Sequence, residues 1–192
     1  MKYNSTRASS IGVSAAQAIM QGISVDGGLF VPESLPEFTI EELAALAGKS
    51  YGEKAQIILS KFLTDFTGEE LAACIQNAYG GGKFDSDGVF ELSKVGESCY
   101  FLELWHGPTC AFKDMALQLL PQLLTASVKK VSPGQEVLVL AATSGDTGKA
   151  ALEGFKDVPG VKIAVFYPEN GVAEMQRLQM VTQEGGNLLT AA

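Results

Sequence analysis

Histidine and cysteine are too scarce in this sequence to build the usual metal sites. One histidine, His106, and three cysteines, Cys74, Cys99 and Cys110, are spread over 192 residues. They form no Cys-x-x-Cys pair and no His/Cys spacing of the zinc type, so no metal centre is expected. The odd cysteine count argues against a disulfide framework, and buried reduced thiols in a cytoplasmic protein are the expectation. Long apolar runs are missing too. The longest, Val137 to Ala142, falls far short of the roughly 20 residues that span a bilayer, and the first ten residues lack the apolar core of a secretion signal. Positive charge is in deficit, with 14 Lys and Arg against 22 Asp and Glu and a net charge of -8. A nonspecific grip on nucleic acid or an anionic membrane would work against that field, and neither is an expected partner. A small anion is different, because a few local donors or one helix N-terminus can hold it.

What the sequence does contain is ordinary globular material, 46% hydrophobic and 19% charged, enough to bury a core. Residues 1–95 read as a mainly helical domain. Thr39 caps a helix through Ala47 that Gly48 stops, Tyr51 to Phe66 has helical apolar spacing, and Thr67 opens a third helix that ends at Gly80-Gly-Gly82. Asp26-Gly-Gly-Leu-Phe-Val-Pro32 reads as a turn entering a short strand. The stretch from Gly80 to Asp87 is the expected boundary.

Residues 96–192 read as α/β. Strands are expected at Ser98–Leu104, Glu136–Ala142 and Val161–Tyr167, and helices at Lys113–Lys130, Gly145–Lys156 and Glu174–Thr182. Continuous apolar strands alternating with helices predict a parallel sheet covered on both faces. Pro121 should kink or break the helix that contains it. A sheet of three or four strands without a closing element suggests the first part of a larger domain, so the chain is expected to be a fragment.

Two segments put unusual residues where a strand gives way to a helix, the place where open α/β sheets bind ligands. One is His106-Gly-Pro-Thr-Cys-Ala-Phe-Lys-Asp114; the other is Ala142-Thr-Ser-Gly-Asp-Thr-Gly148. In the second, Thr143, Ser144, Gly145, Asp146 and Thr147 could present hydroxyls and backbone N–H groups to a carboxylate or phosphate, or could simply cap the helix. Gly148-Lys149 is not a phosphate-binding P-loop, since Thr143 stands where that motif needs Gly and Ala150 cannot supply a metal-binding hydroxyl. In the first segment Lys113 follows an apolar flank of Cys110, Ala111 and Phe112, and its stem is expected among apolar groups, where an amine can condense with an aldehyde.

Here a family resemblance enters. Gly107-Pro-Thr-Cys-Ala-Phe-Lys-Asp-Met-Ala-Leu-Gln118 resembles the pyridoxal phosphate attachment motif of threonine synthases, and Ala142-Thr-Ser-Gly-Asp-Thr-Gly-Lys-Ala-Ala151 resembles their substrate loop. Ser5-Thr-Arg7, Asp26 to Glu33, Tyr167-Pro-Glu169 and Gln176-Arg-Leu-Gln-Met180 are similar to further parts of the family pattern, in its order.

The resemblance implies a fold type II, tryptophan synthase β-like α/β enzyme. Such an enzyme is a carbon–oxygen lyase that uses pyridoxal 5'-phosphate to convert O-phospho-L-homoserine and water to L-threonine and phosphate, as a monomer or homodimer. Lys113 would hold the cofactor as a Schiff base and act as acid and base. Thr143, Ser144, Gly145, Asp146 and Thr147 would bind substrate, and Asp146 and Thr147 would also lie near the cofactor. Related enzymes often carry Asn at the position of Asp146, and a carboxylate accepts where an amide can donate, which favours the threonine synthase branch. His106 either touches the phosphate or the cofactor, or packs beside Trp105. Arg7, Lys149 and Arg177 are candidates for the substrate phosphate by charge alone. The family's glycine loop for the cofactor phosphate has no counterpart here, so the 192 residues alone are expected to be inactive. The rival readings are a serine or threonine dehydratase of the same fold and a noncatalytic phosphate-ligand binding protein.

Overall fold

Four helices announce their starts with a Ser or Thr followed three residues later by Gln or Glu. In the computed structural model, which describes residues 1–7 and 12–192, all four pairs close as reciprocal capping boxes: Ser14–Gln17, Thr39–Glu42, Ser50–Glu53 and Thr67–Glu70. Each box satisfies two backbone donors that a helix start would otherwise leave orphaned. The short strand β1 (Tyr3–Ser5) precedes helix α1 (Ala15–Gln21) and pairs antiparallel with β2 (Phe30–Pro32), the strand expected after the Asp26 turn. Helices α2 (Ile40–Ala45), α3 (Tyr51–Phe62) and α4 (Gly68–Tyr79) follow. The expectation that α3 reaches Phe66 is corrected. Leu63 leaves the helical region at φ -94° and ψ 59°, and both Leu63 and Phe66 then fold into the core.

Next comes an antiparallel hairpin, β3 (Glu91–Val95) and β4 (Cys99–Glu103). This also corrects the sequence reading, which put the strand at Ser98–Leu104 into the parallel sheet. Its apolar run is instead exposed, with Tyr100, Phe101 and Leu102 each more than half accessible. Of the three cysteines expected to be buried, only Cys74 is; Cys99 opens β4 and Cys110 lies in a loop, both exposed. Burial, with Glu70 nearby, raises the Cys74 thiol pKa above its ordinary value.

The helix expected over Lys113–Lys130 is broken, as Pro121 predicted, into α5 (Asp114–Leu117) and α6 (Leu120–Val131). The break falls just before Pro121, which takes a first-turn position of α6, where its missing N–H costs nothing. Strand β5 (Val137–Ala142), helix α7 (Asp146–Phe155), strand β6 (Val161–Phe166), helix α8 (Glu174–Val181) and strand β7 (Leu188–Ala191) complete the chain as a three-stranded parallel sheet in the order β5-β6-β7. That order explains a further correction. Strands added in one direction through right-handed crossovers put both connecting helices on the same face. The sheet is therefore covered on one side, while Leu138, Leu140, Phe166 and Leu189 stay exposed on the other.

Two apolar cores form. The first joins Leu124 and Val128 of α6, Ala151, Leu152 and Phe155 of α7, the buried side of β6, and Met180 of α8. The second joins Ala15 and Ala16 of α1, Leu63 and Phe66 between α3 and α4, Leu71 and Cys74 of α4, and Leu123 of α6. Helix α6 contributes to both, and Ile19 touches both. Among the described residues, no helix is long and apolar enough to cross a membrane.

Candidate active site

Lys113 sits at the first-turn boundary of α5, and Asp114 behind it is completely buried. The Asp114 carboxylate accepts the Thr109 N–H at 2.8 Å through Oδ2 and the Thr109 hydroxyl at 2.7 Å through Oδ1. Gly107 packs so closely that a Cβ there would lie 2.5 Å from Asp114 Cβ. Between them Cys110 turns the chain with φ 55°, a left-handed conformation that costs a non-glycine residue energy and persists where surrounding contacts enforce it. The Lys113 amine, half-buried, lies 4.2 Å from the centroid of the Phe112 ring, a cation–π geometry. Among the described residues it has no hydrogen-bonding or ion-pair partner. The Tyr79 hydroxyl, at the end of α4, donates to Met115 O at 2.6 Å and ties α5 to the helical layer.

The second motif begins α7. Thr143 Oγ1 accepts the N–H groups of Gly145 at 3.1 Å and Gly148 at 3.2 Å. Its hydroxyl therefore shapes the loop from inside. Ser144, Asp146 and Thr147 are exposed, and Asp146 Oδ1 accepts from Gln176 Nε2 of α8 at 2.6 Å. The N-cap of α7 is Gly145, which has no side chain to cap with; Thr143 takes the Gly148 N–H, and among the described residues the first-turn N–H groups of Asp146 and Thr147 remain for an anion. The two motifs meet through their helices. At Gly154 of α7 the backbone runs against α5, and a Cβ there would collide with the Leu117 carbonyl oxygen. Only glycine permits this approach.

The other charged candidates are engaged. Arg177 forms two hydrogen bonds to Glu174, at 3.0 and 2.9 Å, which raise its pKa further. Lys149 is held by Gln183 and lies 3.8 Å from Glu153. Arg7 donates to Asp26 O at 3.2 Å. Sequence reasoning gave no individual role to Thr109 and Gln176, although both stand inside the quoted motifs, and none to Tyr79 or Gly154. For Gly154 the visible signal was a glycine inside an otherwise regular helix.

His106 stacks on Trp105, with ring centroids 5.9 Å apart. Its Nδ1 lies 2.6 Å from Asp85 Oδ1 and its Nε2 3.2 Å from Glu103 Oε2; Ser93 holds the other oxygen of Glu103. Glu91, Glu103 and His106 bring one potential metal-ligand atom each within 4.8 Å of one another, and both ring nitrogens of His106 already face a carboxylate. Asp85 above all, then Glu103 and Glu91, raise the His106 pKa, and partial desolvation opposes them. A group whose folded pKa is raised contributes stability in full below its unfolded value of about 6.5 and loses it as pH climbs through the folded value. NMR titration of this sole histidine should give a midpoint above 6.5, and His106→Gln should remove that part of the pH dependence of stability. A midpoint at or below the ordinary value would contradict the contact.

The comparisons agree with one another. The family described as "Threonine synthase N terminus" matches residues 2–79. A threonine synthase of Pseudomonas aeruginosa is 40% identical over 98% of this chain and 39% of its own length. The human protein named threonine synthase-like 1 is 35% identical over 90% of this chain and 24% of its own. Among solved structures, a threonine synthase from Brucella melitensis with PLP bound matches with a TM-score of 0.90 at 36% identity, over 99% of this chain and 40% of that one. The yeast threonine synthase gives 0.88 at 33% identity, over 100% and 40%. The chain thus spans about two-fifths of the length of the bacterial and yeast relatives it matches. In sequence and in fold alike, the chain is similar to threonine synthases over nearly its whole length, and residues 2–79 match that family's N terminus.

Proposed function

We propose that the protein containing this chain is a threonine synthase, converting O-phospho-L-homoserine and water to L-threonine and phosphate with pyridoxal 5'-phosphate, and that these residues build the lysine-bearing side of its active site. The observation that supports the reading most is the seating of α5 directly on α7 at Gly154. It joins the Lys113 turn to the helix that follows Ser144 and opens with Asp146 and Thr147.

The donor set fits the cofactor. A half-buried primary amine with no carboxylate partner among the described residues is what an aldehyde requires. Once bound, pyridoxal 5'-phosphate supplies an electron sink for negative charge developing on the substrate carbons. Lys113 Nζ serves as base and acid, taking and returning protons at those carbons. Ser144 and Thr147, with the remaining first-turn N–H groups of α7, hold the substrate carboxylate against the positive end of the helix. Thr143 acts indirectly, by fixing the loop through Gly145 and Gly148. Asp146, oriented by Gln176, would serve the cofactor as a hydrogen-bond acceptor. The proposal includes a cytoplasmic protein acting as a monomer or homodimer, which cell fractionation and analytical ultracentrifugation check.

The deciding experiment gives the full-length protein O-phospho-L-homoserine and, separately, L-threonine. Phosphate and threonine should appear in the first reaction, with no oxoacid in the second. Oxoacid formation from threonine without phosphate release from the ester would replace this reading with a dehydratase.

A further inference from the structure

We infer that Asp114 and Thr109 are positioning residues for Lys113: a buried carboxylate around which the 107–113 turn is wound, so that the amine is delivered at one orientation. The inference rests on the functional reading above.

Asp114 is 0% exposed, and a carboxylate so far from water must be satisfied by donors. Among the described residues both of its side-chain donors come from one residue, the Thr109 N–H at 2.8 Å on one oxygen and the Thr109 hydroxyl at 2.7 Å on the other. The pair of bonds therefore fixes direction as well as distance, because a single donor would let the carboxylate rotate about its bond. Gly107 closes the loop over the same side chain, where a Cβ would sit 2.6 Å from Asp114 Oδ2. Cys110 donates its N–H to Gly107 O at 3.1 Å and Asp114 donates its own to Ala111 O at 3.0 Å. Every bend between Gly107 and Asp114 is thereby tied to the carboxylate or to a neighbour of it, and Lys113 is the last residue before that anchor. The carboxylate itself is shut off from solvent, whereas Lys113 is only half-buried, and this separates its role from that of Lys113.

The test uses the full-length protein and pyridoxal 5'-phosphate as probe. Captured cofactor is fixed with borohydride at successive times, and the pyridoxyl group on Lys113 is counted by peptide mass spectrometry against the same label on other lysines. Thr109→Val removes the hydroxyl at nearly constant volume, Thr109→Ser keeps it, and Asp114→Asn replaces one acceptor oxygen by a donor. Misplacement by about 1 Å can slow a reaction by about 10²-fold. Capture at Lys113 in Thr109→Val should accordingly fall by about 10-fold to 10²-fold at a temperature where circular dichroism shows the fold intact, while other lysines label as before. Thr109→Ser should restore it. Should Asp114→Asn fail to fold, the Thr109 pair decides alone. Wild-type capture rates in Thr109→Val would overturn the inference, as would equal losses in Val and Ser. A wild-type protein that never labels Lys113 would instead overturn the functional reading, and the inference with it.

Discussion

Replacing Lys113 with Ala in the full-length protein should abolish covalent capture of pyridoxal 5'-phosphate at this position and reduce turnover by about 10³-fold or more. A positioned acid–base group contributes about 10²-fold to 10⁴-fold, and the loss of the covalent anchor adds to that. The fold should be indifferent. The Lys113 side chain makes no hydrogen bond or ion pair among the described residues, and its amine lies over the exposed Phe112 ring. Thermal stability of Lys113→Ala should thus match wild type, since surface substitutions of this kind stay within about 0.5 kcal/mol. The measurement pairs a phosphate-release assay with borohydride labelling. Persisting activity with label on another lysine, such as Lys149, would move the site to the wrong motif.

The second large effect concerns stability and has an unusual sign. Gly→Ala inside a helix ordinarily stabilises by about 0.5–1 kcal/mol, because alanine loses less entropy on folding. Gly154 lies within α7, so propensity alone favours Gly154→Ala. Geometry reverses this. The new methyl would fall on the Leu117 carbonyl oxygen, a backbone atom that no side-chain rotation can withdraw. Helices α5 and α7 must separate, and overpacking of this kind costs about 1–3 kcal/mol. The melting temperature should drop by about 2–4 °C for each kcal/mol in a chain of this size. Because α5 follows Lys113, capture of the cofactor should weaken as well. An unchanged or raised melting temperature would show that the two helices can slide apart freely.

Much of the helical layer was legible because its signals are local. A Thr and a Glu three residues apart form a capping box whatever surrounds them, which is why the start of α4 at Thr67 reads correctly. The sheet was harder. A continuous apolar run such as Cys99 to Leu102 looks the same in a buried parallel strand and in an exposed hairpin, and only the partner decides. The covered and open faces depend on strand order, which no single segment encodes. At the candidate site, the lysine and the hydroxyl-rich loop stand out by residue type. The contacts that hold them, Gly154 on Leu117 and Thr109 on Asp114, depend on how chain segments approach in space, and the sequence offered only a glycine in an unlikely place.

Helix α6 gives Leu123 to one core and Leu124 and Val128 to the other. Neighbouring side chains on one short rod thus answer to two interiors. A change in its tilt made to suit one would disturb the other, so the helical layer and the sheet cannot drift apart independently in evolution. Substitutions accepted on one side of the rod limit those that the opposite side can accept.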